Sequence, residues 1–392
     1  MPLPLSSLRV LDLTRLLPGP YCTMLLADFG AEVIKIEEPG LGDYARWYGN
    51  EWNGESALFA SLNRNKKSVT LNLKTEAGKN IFREMVQRAD VVIESFRPGT
   101  MERLGLGYDA LKKINPGLIY CAITGYGQDG PYADQAGHDL NYISYAGLLA
   151  LQGEREGKPV LPAVQIADLG GGAMMAVAGI LLALRARDQT GRGQLVDISM
   201  LDGVISWMQT ILPHYLATGK EPVRGELPLS GGLACYSVYE TADHRYLAVG
   251  ALEPKFWKTF CHGIGRGDLI PRLQATPAEQ EEMKKIIAAA IKKQTLSHWM
   301  NVFAGKDACV SPVLNMDEMV RDPQVLHRRM IEDTKHPSVG NVRLPGIPIK
   351  LSEAAGTIRS FAPSLGEHNQ EYLQELGYNE EQILRFREEN II

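Results

Sequence analysis

The sequence predicts an α/β protein with a mainly parallel β-sheet and a second, smaller α+β domain. Short β-branched runs alternate with helical stretches over about the first 200 residues, a pattern typical of βαβ units. Beyond Asp202 the pattern changes to a turn-rich segment, and then to a hairpin followed by helices. A chain of 392 residues is long enough for two or three domains.

The predicted strands of the first half are short apolar, β-branched runs. They lie at 8–13, 32–36, 68–73, 91–93, 118–123 and 194–199. Helices are predicted at 18–29, 75–88, 139–151 and 171–187. For the first of these, Pro18 near the start and Gly30 after the end are the expected boundary residues. Strands and helices in this order predict a parallel sheet covered by helices.

The second half predicts a separate domain. Residues 222–232 are rich in Pro and Gly, and two strand candidates at 235–240 and 245–249 flank turn residues, as in a hairpin. Helices are predicted at 277–293 and 296–303. We therefore expect a large domain over 1–224, a small α+β domain over 225–325 and a return to the large domain over 326–392.

Composition excludes several classes of protein. Lys and Arg number 41 against 46 Asp and Glu, which gives a net charge of -5; a dedicated nucleic-acid binder is usually basic, whereas an anionic small ligand needs only a local basic patch. The five cysteines form no C-x-x-C pair, so we expect neither a disulfide framework nor a zinc site, and a reducing, cytoplasmic location. No signal peptide is evident.

The longest apolar run, 173–184, has 12 residues. A membrane span needs about 20. Because this run is apolar on all sides, it predicts a buried core helix of a soluble protein. Motifs of P-loop kinases, zinc proteases and serine hydrolases are absent from the sequence.

Two segments with candidate catalytic residues precede helical stretches, one with a histidine and an aspartate and one with an aspartate before three glycines. In the first, Asp139 suits the N-cap of its helix, and His138 before it is either a polar loop residue or a catalyst. In the second, Asp168 is followed by Gly170, Gly171 and Gly172. It caps a helix in the simpler interpretation; alternatively, the glycines let a ligand approach helix N–H groups that stabilise charge on a carbonyl oxygen.

Two further features carry charge. Glu253 precedes Pro254, and without further context it is interpreted as a capping carboxylate. A basic cluster lies near predicted strand ends, where α/β proteins bind ligands, although charge runs are usually solvated. Its members are Arg64, Lys66, Lys67, Lys74 and Arg97.

Five segments together resemble the class III CoA-transferase (CaiB/BaiF) superfamily, which includes the α-methylacyl-CoA racemases. They are 11–40, 64–74, 95–99 with SFRPG, 123–142 with GHDLNY, and 167–203 with ADLGGG. The resemblance implies a Rossmann-like large domain built from both chain ends, a small domain from the middle of the chain, and an interlocked homodimer. It also implies an acyl-CoA thioester substrate, with no metal and no cofactor beyond the CoA moiety.

The resemblance also implies roles for single residues. Asp168 is the central catalytic residue in both branches, His138 of GHDLNY is the second acid/base group of racemases, and Glu253 matches a racemase glutamate that would orient His138. All three are present, which favours a racemase. A CoA-transferase in which Asp168 forms an acyl anhydride, and a non-catalytic acyl-CoA-binding protein, remain alternatives.

The resemblance assigns the CoA contacts by position. They are Leu71, Asn72, Leu73, Lys74, Ser95, Arg97, Gly137, His138, Asp139, Leu140, Asn141 and Tyr142. One departure is Glu38, where some racemases have an arginine. We expect a lost phosphate contact there, or its replacement by Lys66 or Lys67. Backbone N–H groups near Gly170–Gly172 are expected to hold the enolate oxygen.

Overall fold

The computed structural model describes residues 1–52, 55–336 and 340–392. Its contacts divide the chain into two compact units. The larger comprises Met1–Ala146, Pro162–Trp207 and Gln324–Ile392, and the smaller comprises Gly147–Leu161 and Met208–Pro323. Residues 147–161 and 208–224, which were predicted in the large domain, thus lie in the smaller unit.

A six-stranded parallel sheet forms the centre of the larger unit in the described part of the chain. Its strands are β1 (Arg9–Asp12), β2 (Glu32–Glu37), β3 (Lys66–Thr70), β4 (Val91–Glu94), β5 (Ile119–Thr124) and β6 (Leu195–Ser199). The order β3-β2-β1-β4-β5-β6 confirms the predicted parallel sheet and is that of the Rossmann fold. Leu11 at its centre pairs with Ile34 on one side and Val92 on the other. The strand order reverses between β1 and β4, where open α/β sheets bind ligands.

Helices alternate with these strands in the first part of the chain, and the central strands are apolar on both sides. The helices are α1 (Pro18–Asp28), α2 (Ala57–Leu62), α3 (Glu76–Val86), α4 (Thr100–Arg103), α5 (Tyr108–Ile114) and α6 (Asp139–Tyr145). In α3 the Thr75 hydroxyl caps the helix by accepting from Gly78 N–H, and Ile81, Phe82 and Met85 are buried in the sheet's core. Helix α6 ends before its predicted limit at 151, because Gly147 has a φ of 78°.

One long helical segment begins earlier than predicted. A π-helix spans Ile166–Met174 and continues directly into α7 (Met175–Thr190). By length and composition alone this segment could cross a membrane, but core helices of soluble proteins pass the same test. It packs against α1 and against α8 (Met200–Ser206). The prediction of burial on all sides is wrong for the single chain, since Leu181 and Leu182 are exposed.

The smaller unit has an antiparallel sheet and its own core. Strands β7 (Tyr236–Glu240) and β8 (Tyr246–Gly250) form the predicted hairpin, and β9 (Val310–Pro312) pairs with β8. Its helices are α9 (Leu212–Thr218), α10 (Pro254–Gly263), α11 (Pro277–Ile291), α12 (Leu296–Phe303) and α13 (Met316–Met319). Trp257, Phe260 and Trp299 are buried in this core.

The last part of the chain returns to the large sheet. Helix α14 (Pro323–His327) is followed by a hairpin of β10 (Ile331–His336) and β11 (Gly340–Pro345), and by α15 (Asn369–Glu375) and α16 (Glu380–Glu388). The Asn369 amide donates to the Thr70 hydroxyl at 2.7 Å, and the Tyr372 hydroxyl donates to Glu32 at 2.7 Å. These bonds join α15 to β3 and β2.

Candidate active site

The carboxylate of Asp139 ties two helix starts together. His138, and not Asp139, is the N-cap residue of α6, and Asp139 is its first helical residue. The buried Asp139 Oδ1 accepts from the backbone N–H groups of Ala167 (2.6 Å) and Asp168 (3.0 Å), in the first turn of the π-helix. The predicted N-cap role within α6 is therefore wrong. Asp139 instead holds the His138 loop against the backbone of Asp168.

Asp168 is a partly buried acid with a near-neutral pKa. It is the third residue of the π-helix. Burial, together with the negative charge of Asp139, raises the pKa of Asp168 to about 7. A carboxyl group with this pKa exists in both protonation states near neutral pH, so it can donate or accept a proton.

The three glycines after Asp168 allow two helices to approach closely. They occupy the interior of the π-helix, so the prediction that they form a helix start is wrong. A Cβ on Gly170 would lie 1.7 Å from the Trp207 ring, and one on Gly171 would lie 2.5 Å from the carbonyl oxygen of Met200. Close packing against α8 therefore explains the glycines. The N–H groups of the first turn belong to residues 166–168, and Asp139 binds two of them.

The His138 loop lies beside a cluster of tyrosine rings. His138 is exposed, and its backbone N–H donates to Asn141 Oδ1 at 3.0 Å. The buried Tyr142 donates its hydroxyl hydrogen bond to the carbonyl oxygen of Gly137. The Tyr126 ring packs edge-on against Tyr142 at a centroid distance of 5.2 Å. These contacts fix the loop while leaving the imidazole accessible.

Glu253 lies in the smaller unit. It is the exposed N-cap residue of α10, but its side chain accepts no capping hydrogen bond; its main-chain oxygen accepts from Trp257 N–H at 3.0 Å. The interpretation as a capping carboxylate is therefore wrong. A role beside His138 stays a prediction.

The predicted nucleotide-binding segment lines a cavity of about 250 Å³ at the carboxyl edge of the large sheet. Leu71, Asn72, Leu73 and Lys74 follow β3 and contribute to its wall. Other wall residues, among them Arg15, Glu38, Phe96 and Arg103, follow β1, β2 and β4. This is the edge at which the strand order reverses, so the cavity occupies the position where open α/β sheets bind ligands.

The segment after β4 holds two further predicted CoA contacts, Ser95 and Arg97. The Ser95 hydroxyl accepts from the backbone N–H of Arg15 at 3.3 Å. Arg97 is exposed. The pKa of the Tyr142 hydroxyl is raised by burial and by Asp168, and the positive charge of Arg97 opposes that shift. Arg97 thus acts electrostatically on the same tyrosine as Asp168. Leu140 and Asn141, the remaining predicted contacts, are exposed on α6.

Three members of the predicted basic cluster do not face this cavity. Arg64 is buried and pairs with Asp28 at 2.7 Å, and Lys66 is buried and pairs with Asp12 at 3.2 Å. Lys67 pairs with Glu371 at 3.3 Å. Lys66 and Lys67 begin β3, whereas the cavity is at the other end of that strand. The expectation that either replaces a phosphate contact is therefore wrong.

Sequence reasoning missed two cations of the cavity, Arg15 and Arg103. Arg15 follows β1 by three residues, and Arg103 lies on α4 after β4. Both follow buried strands, which is the signal that could have identified them. Arg15 is held between aromatic rings, with its guanidinium carbon 5.1 Å from the Tyr44 ring centroid and 5.5 Å from that of Phe96.

The cysteines and the other potential metal ligands are dispersed. All five cysteines are free. Over residues 1–52, 55–336 and 340–392, no group of three or more His, Cys, Asp or Glu side chains is arranged to hold a metal ion.

Comparisons with known proteins agree with the motifs. The model of CoA-transferase family III matches residues 5–369. The chain is 38% identical to the alpha-methylacyl-CoA racemase of Mus musculus over 394 residues, which cover 99% of this chain and 97% of the mouse protein. It is 35% identical to the succinyl-CoA:glutarate CoA-transferase of Homo sapiens over 379 residues, or 95% of this chain and 86% of the human protein.

A solved structure shows the same fold. The CAIB/BAIF family protein from Brucella suis matches with a TM-score of 0.82 and 32% identity, covering 96% of this chain and 100% of that protein. The resemblance drawn from the motifs is therefore confirmed. The chain belongs to CoA-transferase family III and is an enzyme of the superfamily that unites CoA-transferases with α-methylacyl-CoA racemases.

Proposed function

We propose that this enzyme is an acyl-CoA racemase or epimerase that exchanges the α-proton of a 2-methyl-branched acyl-CoA thioester. The observation that carries the proposal is the pairing made by Asp139, which joins the backbone of Asp168, whose pKa is about 7, to the loop of His138. Inversion by a two-base mechanism needs one group that removes the α-proton and a second group that returns a proton to the opposite face. Asp168, with its raised pKa, supplies one of these groups, and the imidazole of His138 is proposed as the other.

In the proposed reaction His138 and Asp168 act on opposite faces of the α-carbon. The neutral imidazole takes the α-proton, and the electron pair of the broken C–H bond moves into the thioester to form an enolate. Protonated Asp168 then gives its proton to the other face, which inverts the centre. For the reverse direction the two groups exchange roles. Glu253 is proposed to orient the imidazole, as a carboxylate partner does in other enzymes.

The CoA part of the substrate is proposed to bind along the larger unit. Lys74, Arg15 and Arg103 supply positive charge at the cavity for the nucleotide phosphates. Ser95, Arg97 and the segment 137–142 then lead toward Asp168, where the thioester would lie. The reaction needs no metal or further cofactor, and we place it in the cytoplasm, without nucleic-acid or membrane partners.

A second candidate function is CoA transfer, because relatives such as the human succinyl-CoA:glutarate CoA-transferase are nearly as similar as the racemase. In that reaction ionised Asp168 attacks the thioester carbonyl carbon, the C–S bond breaks and the CoA thiolate leaves. The acceptor carboxylate would then attack the aspartyl carbonyl of the anhydride and release the donor acid. The CoA thiolate would attack the acyl carbonyl of the new anhydride, which forms the product thioester and frees the Asp168 carboxylate. A raised pKa reduces the ionised fraction of Asp168 at neutral pH, which favours the acid/base role.

We also propose that the enzyme is an interlocked homodimer. In the single chain, the π-helix and α7 expose a row of large apolar side chains that includes Met174, Leu181 and Leu182. Exposed apolar rows of this kind usually mark a contact surface. Light scattering should give twice the chain mass, and Leu182→Glu should reduce it toward that of one chain.

The test of the function is a parallel assay of the two reactions. In ²H₂O, one enantiomer of a 2-methylacyl-CoA should gain deuterium at the α-carbon and become racemic. A free carboxylic acid added to the same mixture should receive no CoA, and hydroxylamine should trap no acyl group on Asp168. CoA transfer or trapping without α-exchange would establish the second candidate instead.

A further inference from the structure

Two glutamates line the cavity beside the large sheet. Glu37 is buried and pairs with Arg46 at 2.7 Å, which leaves Glu38 as the carboxylate among the cavity's cations. Glu38 follows β2 directly, and its side chain is about one-third exposed. Its Oε1 lies 2.9 Å from the Lys74 Nζ, and its Oε2 lies 3.8 Å from a guanidinium nitrogen of Arg15. A carboxylate in a phosphate-binding cavity repels the ligand at the same time as it occupies the ligand's cations.

The position of Arg15 does not depend on Glu38 alone. Its guanidinium Nη1 donates to the Tyr44 hydroxyl at 3.1 Å and lies between the rings of Tyr44 and Phe96. Its backbone N–H donates to the Ser95 hydroxyl. Removal of the Glu38 charge should therefore leave an ordered cation facing the cavity.

The remaining cations of the cavity differ in how firmly they are held. Lys74 is 78% exposed and has Glu38 as its ion-pair partner. Arg103 donates to the Thr100 hydroxyl at 2.9 Å on its own helix. Lys74 is thus the cation whose charge Glu38 neutralises most directly.

We propose that Glu38 is an internal counterion that competes with the phosphate groups of CoA esters for Lys74 and Arg15, and so weakens their binding. This inference rests on the proposed binding of CoA esters in this cavity. A bound phosphate must displace the carboxylate from the cations or share them with it, and either costs binding free energy. The loss of binding free energy caused by Glu38 should grow with the number of phosphates on the ligand. Glu38 therefore influences how much the affinities for different CoA fragments differ.

The experiment measures dissociation constants by calorimetry for three probes. CoA, dephospho-CoA and pantetheine carry successively fewer phosphates. Glu38→Gln keeps the side-chain shape and removes the charge. We expect it to tighten CoA binding about 3- to 10-fold, to tighten dephospho-CoA binding less and to leave pantetheine unchanged. The tightening of CoA binding by Glu38→Gln should be smaller in 0.5 M salt, at which the screening length is only about 4 Å.

A matched control removes one negative charge elsewhere. Glu371→Gln breaks the exposed pair with Lys67 near the other end of β3, and it should leave all three constants unchanged. In a Lys74→Met background, Glu38→Gln should tighten CoA binding by a smaller factor than it does in the wild type. The reason is that Lys74, one of the two cations that pair with Glu38, is absent. If Glu38→Gln tightens CoA binding by the same factor in both backgrounds, competition for Lys74 is contradicted.

The outcomes separate the inference from the function on which it rests. If Glu38→Gln binds CoA no better than the wild type, or more weakly, the counterion role is overturned while CoA binding stands. Equal weakening for CoA and dephospho-CoA would identify Glu38 as a direct ligand contact. If the wild type binds none of the phosphate-bearing probes, both the proposed function and this inference fail.

Discussion

Replacement of Asp168 by asparagine should change the pH dependence of stability. The pKa of Asp168 is about 7 in the folded protein, against an ordinary value of 3.8. Between these values the folded state keeps a proton that the unfolded chain has lost. The stabilisation that this proton gives is therefore complete below pH 3.8 and is lost as the pH rises through 7. In the Asp168→Asn variant the side chain at this position would stay neutral at every pH.

The magnitude follows from the two pKa values. Compared with a variant in which residue 168 does not titrate, the wild type should lose about 2–3 kcal/mol of unfolding free energy between pH 5 and pH 8.5. The difference in stability between Asp168→Asn and the wild type should therefore move in favour of the variant by that amount. Most of this change should occur below pH 7, where folded Asp168 is still largely protonated.

Urea denaturation followed by circular dichroism at pH 5, 7 and 8.5 measures the effect. Asp134→Asn is the control, because Asp134 is an exposed carboxylate of the same unit. A difference between Asp168→Asn and the wild type that stays constant across the three pH values would refute a near-neutral pKa. It would also remove the reason for treating Asp168 as an acid and base.

Three further substitutions test how the fold around the site is stabilised. Gly203→Ala should destabilise by about 3 kcal/mol or more, measured by urea denaturation, because its Cβ would lie 2.4 Å from the Gly171 Cα; wild-type stability would contradict the close helix contact. Lys66→Met should cost about 3–5 kcal/mol by leaving Asp12 buried without its partner, whereas Lys67→Met should cost less than about 0.5 kcal/mol. Equal effects of the two lysine variants would disprove the structural role of Lys66.

The strands could be predicted because their apolar runs depend only on local sequence. β2 and β5 begin or end within a residue or two of the predicted limits, and Pro18 begins α1 as expected. Helix ends were harder to predict. The stop of α6 depends on the backbone of Gly147, and the early start of the π-helix depends on Asp139, which is distant in sequence.

The functions of charged and small residues could not be predicted from local sequence. Lys66 has the same neighbours in sequence whether it is solvated or buried against Asp12, and only the sheet order brings Asp12 close. The glycines after Asp168 are required because Met200 on α8 packs closely against them. Since α8 lies far along the chain, the local sequence of three glycines does not distinguish close helix packing from a ligand-binding loop.

The most direct test of the two-base account is α-proton exchange from each enantiomer separately. Wild type, His138→Gln and Asp168→Asn would be incubated in ²H₂O with each 2-methylacyl-CoA enantiomer, and deuterium would be measured by mass spectrometry. We expect each variant to exchange the α-proton of one enantiomer only. His138→Gln should exchange the enantiomer whose α-proton lies on the Asp168 side, and Asp168→Asn should exchange the enantiomer whose α-proton lies on the His138 side. Neither variant should invert the centre. Undiminished inversion by either variant, or equal loss with both enantiomers in both variants, would contradict the account.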